Sequence, residues 1–498
     1  MKKNIFLFCL LLILLSGCSD FLEESSQDEV RPSTIADLEQ ILIGNGYFST
    51  SASGVSSFCY NMTDYFTDDI QCNGVNYTEW QSNYDEKIHV FAWEDNMFKE
   101  DGNGDDPRFW QFPYEGIGGC NIVLDYLDEM KGEEVDRENI RGEALVLRAW
   151  YYFQLVNLFG LPYNYGDPNT NLGVPIQLTS SVTEEEFPRN TVQEVYDQII
   201  KDMTHGRQLM IQNPKAKNYY RINEVAAAAM LSRVYLYMED WDKALAYADT
   251  VLSKKSALLD LNSLEKPNLV STNYANSVYA AETPTEIIWG RQVGGTLYST
   301  QTRTEKYPWS VDESLIQLMF DGKSWQDVMN GEVNDLRAMF YFCWASDGAE
   351  RYPLGLVKDK DFGKFQGIRV AEVYLNRAEA YIRKFMKEGN DSYRVKALED
   401  LNMLRQHRIA SDVYKDLSIQ DKDELLQCYQ DERRKELCGE THNRWFDIRR
   451  YGMELTHVLF AKETEKSTFT LNNPKQYALP IPDAALDRNS KLKQNERN

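Results

Sequence analysis

The segment from Asn223 to Val251 most constrains the fold, because it has the pattern of two short helices joined by a tight turn. Residues 225–237 form an alanine-rich apolar run, and residues 241–248 carry spaced alanines between aromatic side chains. An acidic pair at 239–240 separates them. Small side chains in one helix let large ones of its partner approach closely. The pattern predicts a helical hairpin that buries its remaining apolar face against a neighbour.

Further segments repeat this organisation. Residues 369–408 form a second unit with a break at 389–391, and residues 141–159 form a helix that ends at a Gly-Leu-Pro stop signal. The expected partner of that helix is 192–210, and a fourth unit includes 114–130. The layout resembles the tetratricopeptide repeat.

We therefore predict a mainly α fold on a tetratricopeptide-like helical-repeat scaffold, covering about 110–253 and 368–452. Two stretches interrupt it: the first insertion, about 44–113, and the second insertion, about 254–367. Both are rich in Gly, Ser, Asn, Thr and aromatic residues and show little periodicity. Long loops in a compact chain are functional or disordered, and aromatic content disfavours disorder. We expect these loop-rich insertions to form the ligand-binding surface.

The chain begins with two lysines followed by an apolar run over 5–15. About 11 helical residues at about 1.5 Å each cover only half of a bilayer core of about 30 Å. Residues 1–17 are therefore predicted to be a signal peptide and not a membrane span.

The residues around Cys18 indicate the kind of signal. Leu-Ser-Gly-Cys at 15–18 resembles the lipobox of bacterial lipoproteins, which implies that Cys18 is acylated and becomes the mature N-terminus. The acidic stretch 19–24 resembles tags that direct lipoproteins to the exterior face of the outer membrane. The alternative is an ordinary cleaved secretory peptide with a chance cysteine.

The formal net charge of −23 disfavours nucleic acid and anionic membrane surfaces as partners, although solubility alone also explains it. Without Cys9 and Cys18, six cysteines remain, and six allow fifteen pairings, so the disulfide pattern stays open.

Catalytic patterns are not supported. With 77 acidic residues no carboxylate pair is informative for glycoside hydrolysis, and the sequence contains no HExxH, GxSxG or phosphate-loop motif. Residues 101–106 resemble the start of a calcium loop, but they lack the required Gly and Glu, so no metal is predicted. The glycines in 116–119 open no dinucleotide-binding unit and are expected to permit close helix packing.

Eight sequence blocks occur in one order along the chain. The most specific is Glu-Arg-Arg-Lys-Glu-Leu at 432–437 followed by Arg-Trp-Phe-Asp-Ile-Arg-Arg-Tyr-Gly at 444–452. The other blocks are 141–162, 188–196, 225–251, 286–289, 372–380, 397–402 and 477–482 with 494–495. Together the eight blocks resemble the SusD/RagB family of outer-membrane nutrient-capture lipoproteins. Residues 438–442 depart from the family pattern. The arginines of 432–452 are interpreted as buried ion pairs in preference to a ligand site, since their charges alternate with acidic and aromatic residues.

The resemblance implies a SusD-like domain over 18–498, without enzymatic activity or cofactor. It implies a lipid-anchored protein on the outer membrane, facing the exterior, that closes over a SusC/RagA-type TonB-dependent transporter. The favoured ligand is an oligosaccharide or polysaccharide. A peptide, as in the RagB branch, is the first alternative. A structural adaptor without a small ligand is the second, and a hydrolase is a distant fourth possibility.

Sugar rings stack on aromatic faces, and polar side chains satisfy their hydroxyl groups. The candidate ligand-binding residues are therefore aromatic and polar residues of the two insertions: Asp69, Tyr77, Trp80, Asn83, Tyr84, Trp93, Arg291, Tyr298, Trp309 and Trp325. Each of them could instead pack beneath its own loop.

Overall fold

The computed structural model of the chain describes residues 32–47, 62–73, 81–100, 104–105, 108–181, 186–266, 284–293, 308–347, 350–356, 358, 364–440, 442–461 and 464–497. The predicted signal peptide and Cys18 lie outside these residues. Within them, no helix combines the length and the apolar content needed to cross a membrane.

The fold is mainly α-helical. The α-helices are α1 (Ile35–Ile41), α2 (Gln81–Phe91), α3 (Arg108–Tyr126), α4 (Glu134–Phe159), α5 (Val192–Gln212), α6 (Glu224–Tyr237), α7 (Trp241–Leu252), α8 (Glu313–Phe320), α9 (Trp325–Met329), α10 (Arg337–Phe340), α11 (Val370–Glu388), α12 (Asp391–Gln406), α13 (Lys422–Leu437), α14 (Asn443–Tyr451) and α15 (Asp483–Leu486). The strands are β1 (Ile70–Cys72), β2 (Lys99–Glu100), β3 (Gly104–Asp105), β4 (Ile287–Val293), β5 (Trp309–Val311), β6 (Phe342–Asp347), β7 (Glu350–Leu356), β8 (Lys364–Arg369), β9 (Leu455–Phe460) and β10 (Lys466–Leu471).

The predicted hairpins are confirmed. Helices α4 and α5 pack together, as do α6 with α7 and α11 with α12. The stack continues through contacts of α3 with α4, α5 with α6, α7 with α11, and α11 with α13. Each helix therefore buries on its neighbour the apolar face that its own hairpin leaves open.

Local signals set where these helices begin and end. Thr191 caps α5 in a reciprocal capping box with Glu194, and the Asn223 side chain accepts from the backbone at the start of α6. Gly389 ends α11 in the left-handed conformation (φ 67°), which lets the chain turn directly into α12.

The strands that the structure describes pair in two-stranded antiparallel ladders: β1 with β5, β2 with β3, β4 with β8, β6 with β7, and β9 with β10. The described parts of the loop-rich insertions also contain short helices and strands, which their sequence does not signal. Helices α8–α10 of the second insertion enclose an apolar cluster of their own, including Leu315, Met319, Val328, Phe340 and Tyr341. Short helices bury their apolar residues cooperatively, without a long periodic stretch that sequence patterns could reveal.

The arginine-rich segment 432–452 forms buried ion pairs, as interpreted from its sequence. Arg433 donates to Asp447 at 2.7 Å, and Arg450 donates to both oxygens of Glu379 at 2.7 Å. The guanidinium groups hold the pKa of Glu379 at about 2, although burial alone would raise it.

The cysteines Cys72, Cys120, Cys428 and Cys438 are free thiols. Burial raises the pKa of Cys72 to about 12 and that of Cys428 to about 11, so both thiols stay protonated at neutral pH. The side chains of Cys59 and Cys343 lie outside the described part of the chain.

Glu436, in the last turn of α13, is the centre of a buried charge network. Its carboxylate accepts from Arg337 at 3.1 Å, from Arg369 at 2.6 Å and from Arg408 at 2.9 Å, and all four side chains are fully buried. Arg337 lies in α10, Arg369 directly precedes α11, and Arg408 lies in the segment after α12. Burial opposes ionisation, but the three guanidinium groups hold the pKa of Glu436 well below its usual range.

The Glu436→Gln variant should lose about 3–5 kcal/mol of unfolding free energy, because it leaves the buried arginines short of a counter-charge. Urea unfolding of the soluble chain beginning at Ser19 measures this loss. The matched control is Glu496→Gln, whose side chain is 90% exposed and 3.7 Å from Lys475. The control should change stability by less than about 0.5 kcal/mol. A loss below about 1 kcal/mol for Glu436→Gln would contradict the structural role of the network.

The glycines of α3 serve close packing, as predicted from their spacing. A Cβ added at Gly116 would lie 2.3 Å from the Tyr151 ring, and one at Gly119 would lie 2.5 Å from the backbone of Asn45. A Cβ at Gly118 would meet nothing within 4 Å. Gly116 therefore permits the contact of α3 with α4, and Gly119 permits its contact with the turn that follows α1.

Gly119→Ala should destabilise the protein by about 1–3 kcal/mol, because backbone must move to admit the methyl group. Gly118→Ala, one residue away in the same helix, should instead stabilise it by up to about 1 kcal/mol, since alanine is the better helix former. Thermal unfolding of the two variants and the parent measures the difference. Equal melting temperatures for the two variants would show that the close approach at Gly119 does not matter.

Candidate ligand-binding site

The two insertions meet in the ladder of β1 with β5. Ile70 pairs with Val311 and Cys72 pairs with Trp309, and the ladder ends with the Asn73 backbone donating to Pro308 at 2.7 Å. In an antiparallel pair, the chain leaving one strand and the chain entering the other share one end. Segment 74–80 of the first insertion and segment 294–307 of the second therefore attach to the described fold at the same end of this ladder.

An aromatic cluster lies under the ladder, with the fully buried Trp309 at its centre. Tyr84 stacks on it with ring centroids 5.9 Å apart, Tyr65 meets it edge-on at 5.3 Å, and Phe91 lies at 5.0 Å. Tyr84 and Trp309, both nominated from sequence as ligand contacts, thus pack on other rings and present no open face to a ligand. Such pairs add to the stability that burial of the rings already provides.

Trp93 is also buried in this region. Its indole Nε1 donates to the Phe66 carbonyl at 3.0 Å, and its ring stacks on His457 of β9 at 4.0 Å. Its backbone is left-handed (φ 52°), a conformation that a bulky residue adopts only when its surroundings hold it there. The nominated Trp93 therefore joins the first insertion to the β9–β10 hairpin.

His457 holds the same junction from the other side. Its Nδ1 lies 2.7 Å from the Phe91 carbonyl oxygen and its Nε2 lies 3.0 Å from that of Thr67. Burial lowers the pKa of His457 to about 4, with the two carbonyl contacts opposing this shift. The imidazole therefore joins the backbone at the end of α2 to the backbone before β1.

The nominated Asp69 pairs within the protein. Arg434 donates through Nε to Asp69 at 2.8 Å, and Arg444 donates to both oxygens of Asp68 at 2.7 Å. Burial raises the pKa of Asp69, and Arg434 opposes this shift. The two pairs attach the first insertion to α13 and α14, so Asp69 acts as a structural residue.

The other nominated residues are distributed as follows. Tyr77, Trp80 and Tyr298 lie outside the described residues, as do the side chains of Asn83 in α2 and Arg291 in β4. Trp325 begins α9, where it is half-buried against the apolar cluster of the second insertion. The structure thus brings Tyr84, Trp93 and Trp309 together as a core. The ligand contacts of the remaining candidates stay predictions.

Sequence reasoning missed two cavities. One, of about 410 Å³, lies where α3 meets the C-terminal segment and includes Trp110, Tyr114, Gln177, Arg488 and Asn489 in its lining. The other, of about 440 Å³, lies between the α6–α7 hairpin and β4, and we call it the basic pocket. Its lining residues are Lys217, Tyr219, Asn223, Val225, Lys254, Lys255, Pro284, Ile287 and Ile288.

Only the adjacent Lys254-Lys255 and Tyr219-Tyr220 pairs could have signalled the basic pocket in the sequence, and they lie more than thirty residues apart. Among the residues that the structure describes, no group of three or more His, Cys, Asp or Glu side chains is placed to hold a metal ion.

Comparisons with known proteins identify the fold. A family model described as starch-binding associating with outer membrane matches residues 20–236, and a model described as SusD family matches residues 351–497. The SusD-like protein P2 of Formosa agariphila is 25% identical over 99% of both chains.

Solved structures with the same architecture include a SusD superfamily protein from Bacteroides thetaiotaomicron, with a TM-score of 0.69, 22% identity, and coverage of 93% of this chain and 100% of that one. A SusD-like carbohydrate binding protein from Bacteroides vulgatus has a TM-score of 0.66 at 23% identity, covering 92% and 97% of the two chains. The helical-repeat fold, the arginine-rich segment and both family matches agree: the chain belongs to the SusD/RagB family.

Proposed function

We propose that this protein is a cell-surface lipoprotein that binds nutrient oligosaccharides and delivers them to a partner TonB-dependent outer-membrane transporter. The observation that carries the proposal is the β1–β5 ladder, which brings both insertions to one place on the helical scaffold. Two chain segments from distant parts of the sequence can then contact one extended ligand. The family description and the carbohydrate binding protein from Bacteroides vulgatus support a glycan as that ligand.

The base of this region suits binding without bond cleavage. The two carboxylates before β1, Asp68 and Asp69, accept from Arg444 and Arg434 at 2.7 and 2.8 Å, so they serve folding. The ring of Trp309 is enclosed by other aromatic rings, which makes the base rigid. A rigid base lowers the entropic cost of ordering the binding residues above it.

The sugar-stacking role then belongs to aromatic residues of the two segments that attach at the Asn73–Pro308 end of the ladder. We propose Tyr77 and Trp80, which follow β1, and Tyr298, which precedes β5, as platforms for sugar rings. The anchoring rests on Cys18 in its lipobox-like context, and the acidic stretch after it supports export to the exterior of the outer membrane.

Calorimetric titration of the soluble chain beginning at Ser19 against a panel of oligosaccharides and mixed peptides tests the proposal. One glycan class should bind saturably, and Trp80→Ala should weaken that binding at least about tenfold, because a central aromatic contact carries much of a binding free energy. The matched control is Tyr165→Ala, which removes a 39% exposed aromatic ring from the loop after α4 and should leave the affinity unchanged.

Other outcomes would redirect the assignment. Binding of peptides alone would place the protein with the RagB-like peptide carriers. If neither panel binds, the adaptor reading is favoured, and co-purification of the transporter with the full-length lipoprotein from outer membranes becomes the deciding measurement. Release of reducing ends during the titration would contradict a purely binding role.

A further inference from the structure

The basic pocket stands out because of its charge. The chain carries 77 acidic and 54 basic residues, yet three lysines line this pocket, and none of the described residues in its lining is acidic. Its volume of about 440 Å³ falls in the range of small-molecule sites, about 300–1,000 Å³. Strand β4 of the second insertion forms one wall of the pocket, and its Gly290 donates to the Tyr219 carbonyl at 3.0 Å. The pocket is therefore lined in part by the second insertion.

Two of the three lysines have counter-charges within the protein. Lys217 pairs with the buried Glu143 at 2.5 Å, and Lys254 pairs with Glu224 at 3.1 Å. Lys255 is half-buried and makes no ion pair with any carboxylate among the described residues. It therefore adds a positive charge to the pocket that the described side chains do not neutralise.

The carboxylate that precedes the pocket wall in sequence does not supply this counter-charge. Glu286 is buried and accepts from Arg408 at 2.9 and 3.1 Å. Burial lowers the pKa of Lys255 and Glu286 acts in the opposite direction. Bringing an anion to Lys255 would thus recover interaction energy that burial has cost it.

The lysines have an ordinary explanation, which is weaker than a ligand role. Lys254 and Lys255 follow the C-terminus of α7, where positive charge complements the helix dipole. That explanation does not account for Lys217, which comes from a different segment, or for a cavity in which all three converge.

The other lining groups indicate a sugar. Tyr219 lies 4.2 Å from the ring of Tyr220, and their hydroxyl groups are hydrogen-bonded at 2.7 Å. Tyr219 lines the pocket and offers it an aromatic ring, while the 37% exposed Tyr220 contacts that ring from outside the lining. The Asn223 Oδ1 accepts from two backbone amides, and its Nδ2 has no acceptor among the described residues, which leaves a donor for a hydroxyl group.

We propose that the basic pocket binds a hexuronate unit of an acidic oligosaccharide, with Lys255 pairing with the sugar carboxylate and Tyr219 lying against the ring. This inference rests on the proposed glycan-binding function and specifies its substrate class. The net negative charge of the chain disfavours polyanions on the rest of its surface, whereas this pocket accepts a single carboxylate.

The test uses the soluble chain beginning at Ser19, titrated with tetrasaccharides of galacturonate, mannuronate and guluronate. Fully methyl-esterified tetragalacturonate keeps the ring but removes the charge, and tetraglutamate supplies carboxylates without a sugar. The parent protein should bind at least one of the three uronate tetrasaccharides, with an affinity that falls as salt is raised. The ester and tetraglutamate should bind at least about tenfold more weakly than that tetrasaccharide.

Lys255→Gln should weaken the preferred uronate about tenfold, and Lys255→Arg should retain most of the affinity. The matched control is Lys201→Gln, which removes the same charge from an exposed position on α5 and so tests the long-range field of the protein. It should change the affinity less than twofold. Thermal unfolding of each variant verifies that it is folded.

The outcomes separate the two proposals. Binding of neutral glycans without uronate preference, or uronate binding that Lys255→Gln leaves intact, overturns the hexuronate site while the glycan-binding function stands. Preference for tetraglutamate overturns the hexuronate site and favours peptide capture. Absence of binding to any saccharide overturns both proposals.

Discussion

The ion pairs of the buried Glu436 carboxylate hold the helices of the scaffold and the second insertion in their relative positions. The carboxylate connects α13 of the scaffold to α10 of the second insertion and to the ends of α11 and α12. A charge buried this completely is tolerated only with its partners in place, so displacing any one of these elements leaves an uncompensated ion. The main apolar core and the smaller core of the second insertion are thereby held in one relative position. An apolar contact alone would fix that position less specifically, because it has no directional requirement.

The insertions are also held to the helical scaffold by directional contacts. The β1–β5 ladder joins the insertions, Arg434 and Arg444 attach the first of them to α13 and α14, and His457 and Trp93 pin it to the β9–β10 hairpin. In the proposed function, the segments that contact the ligand are attached to a base that several ion pairs and ring contacts hold in place. The basic pocket lies between the α6–α7 hairpin and β4.

Sequence patterns predicted the hairpins well, because helix periodicity, caps and glycine stops are local signals. Thr191, Asn223 and Gly389 act at helix ends where those signals place them. The ion-pair interpretation of 432–452 was also correct, since alternating charges and aromatic residues cannot be buried without pairing. The two insertions show little periodicity and therefore carry weaker local signals. Tyr84, Trp93 and Trp309 have the composition of a binding site, but an aromatic residue looks the same in sequence whether its face meets solvent or another ring.

By itself, the sequence determined the helical-repeat class, the hairpin boundaries, the family resemblance and the interpretation of the arginines as structural. All of these follow from residues close together in the chain or from blocks in a fixed order. Contacts between distant segments set which aromatic residues are core, pair Asp69 with Arg434, and bring Lys217 and Lys255 to one pocket. Burial and charge compensation depend on contacts between residues far apart in sequence, and local sequence patterns do not show those contacts.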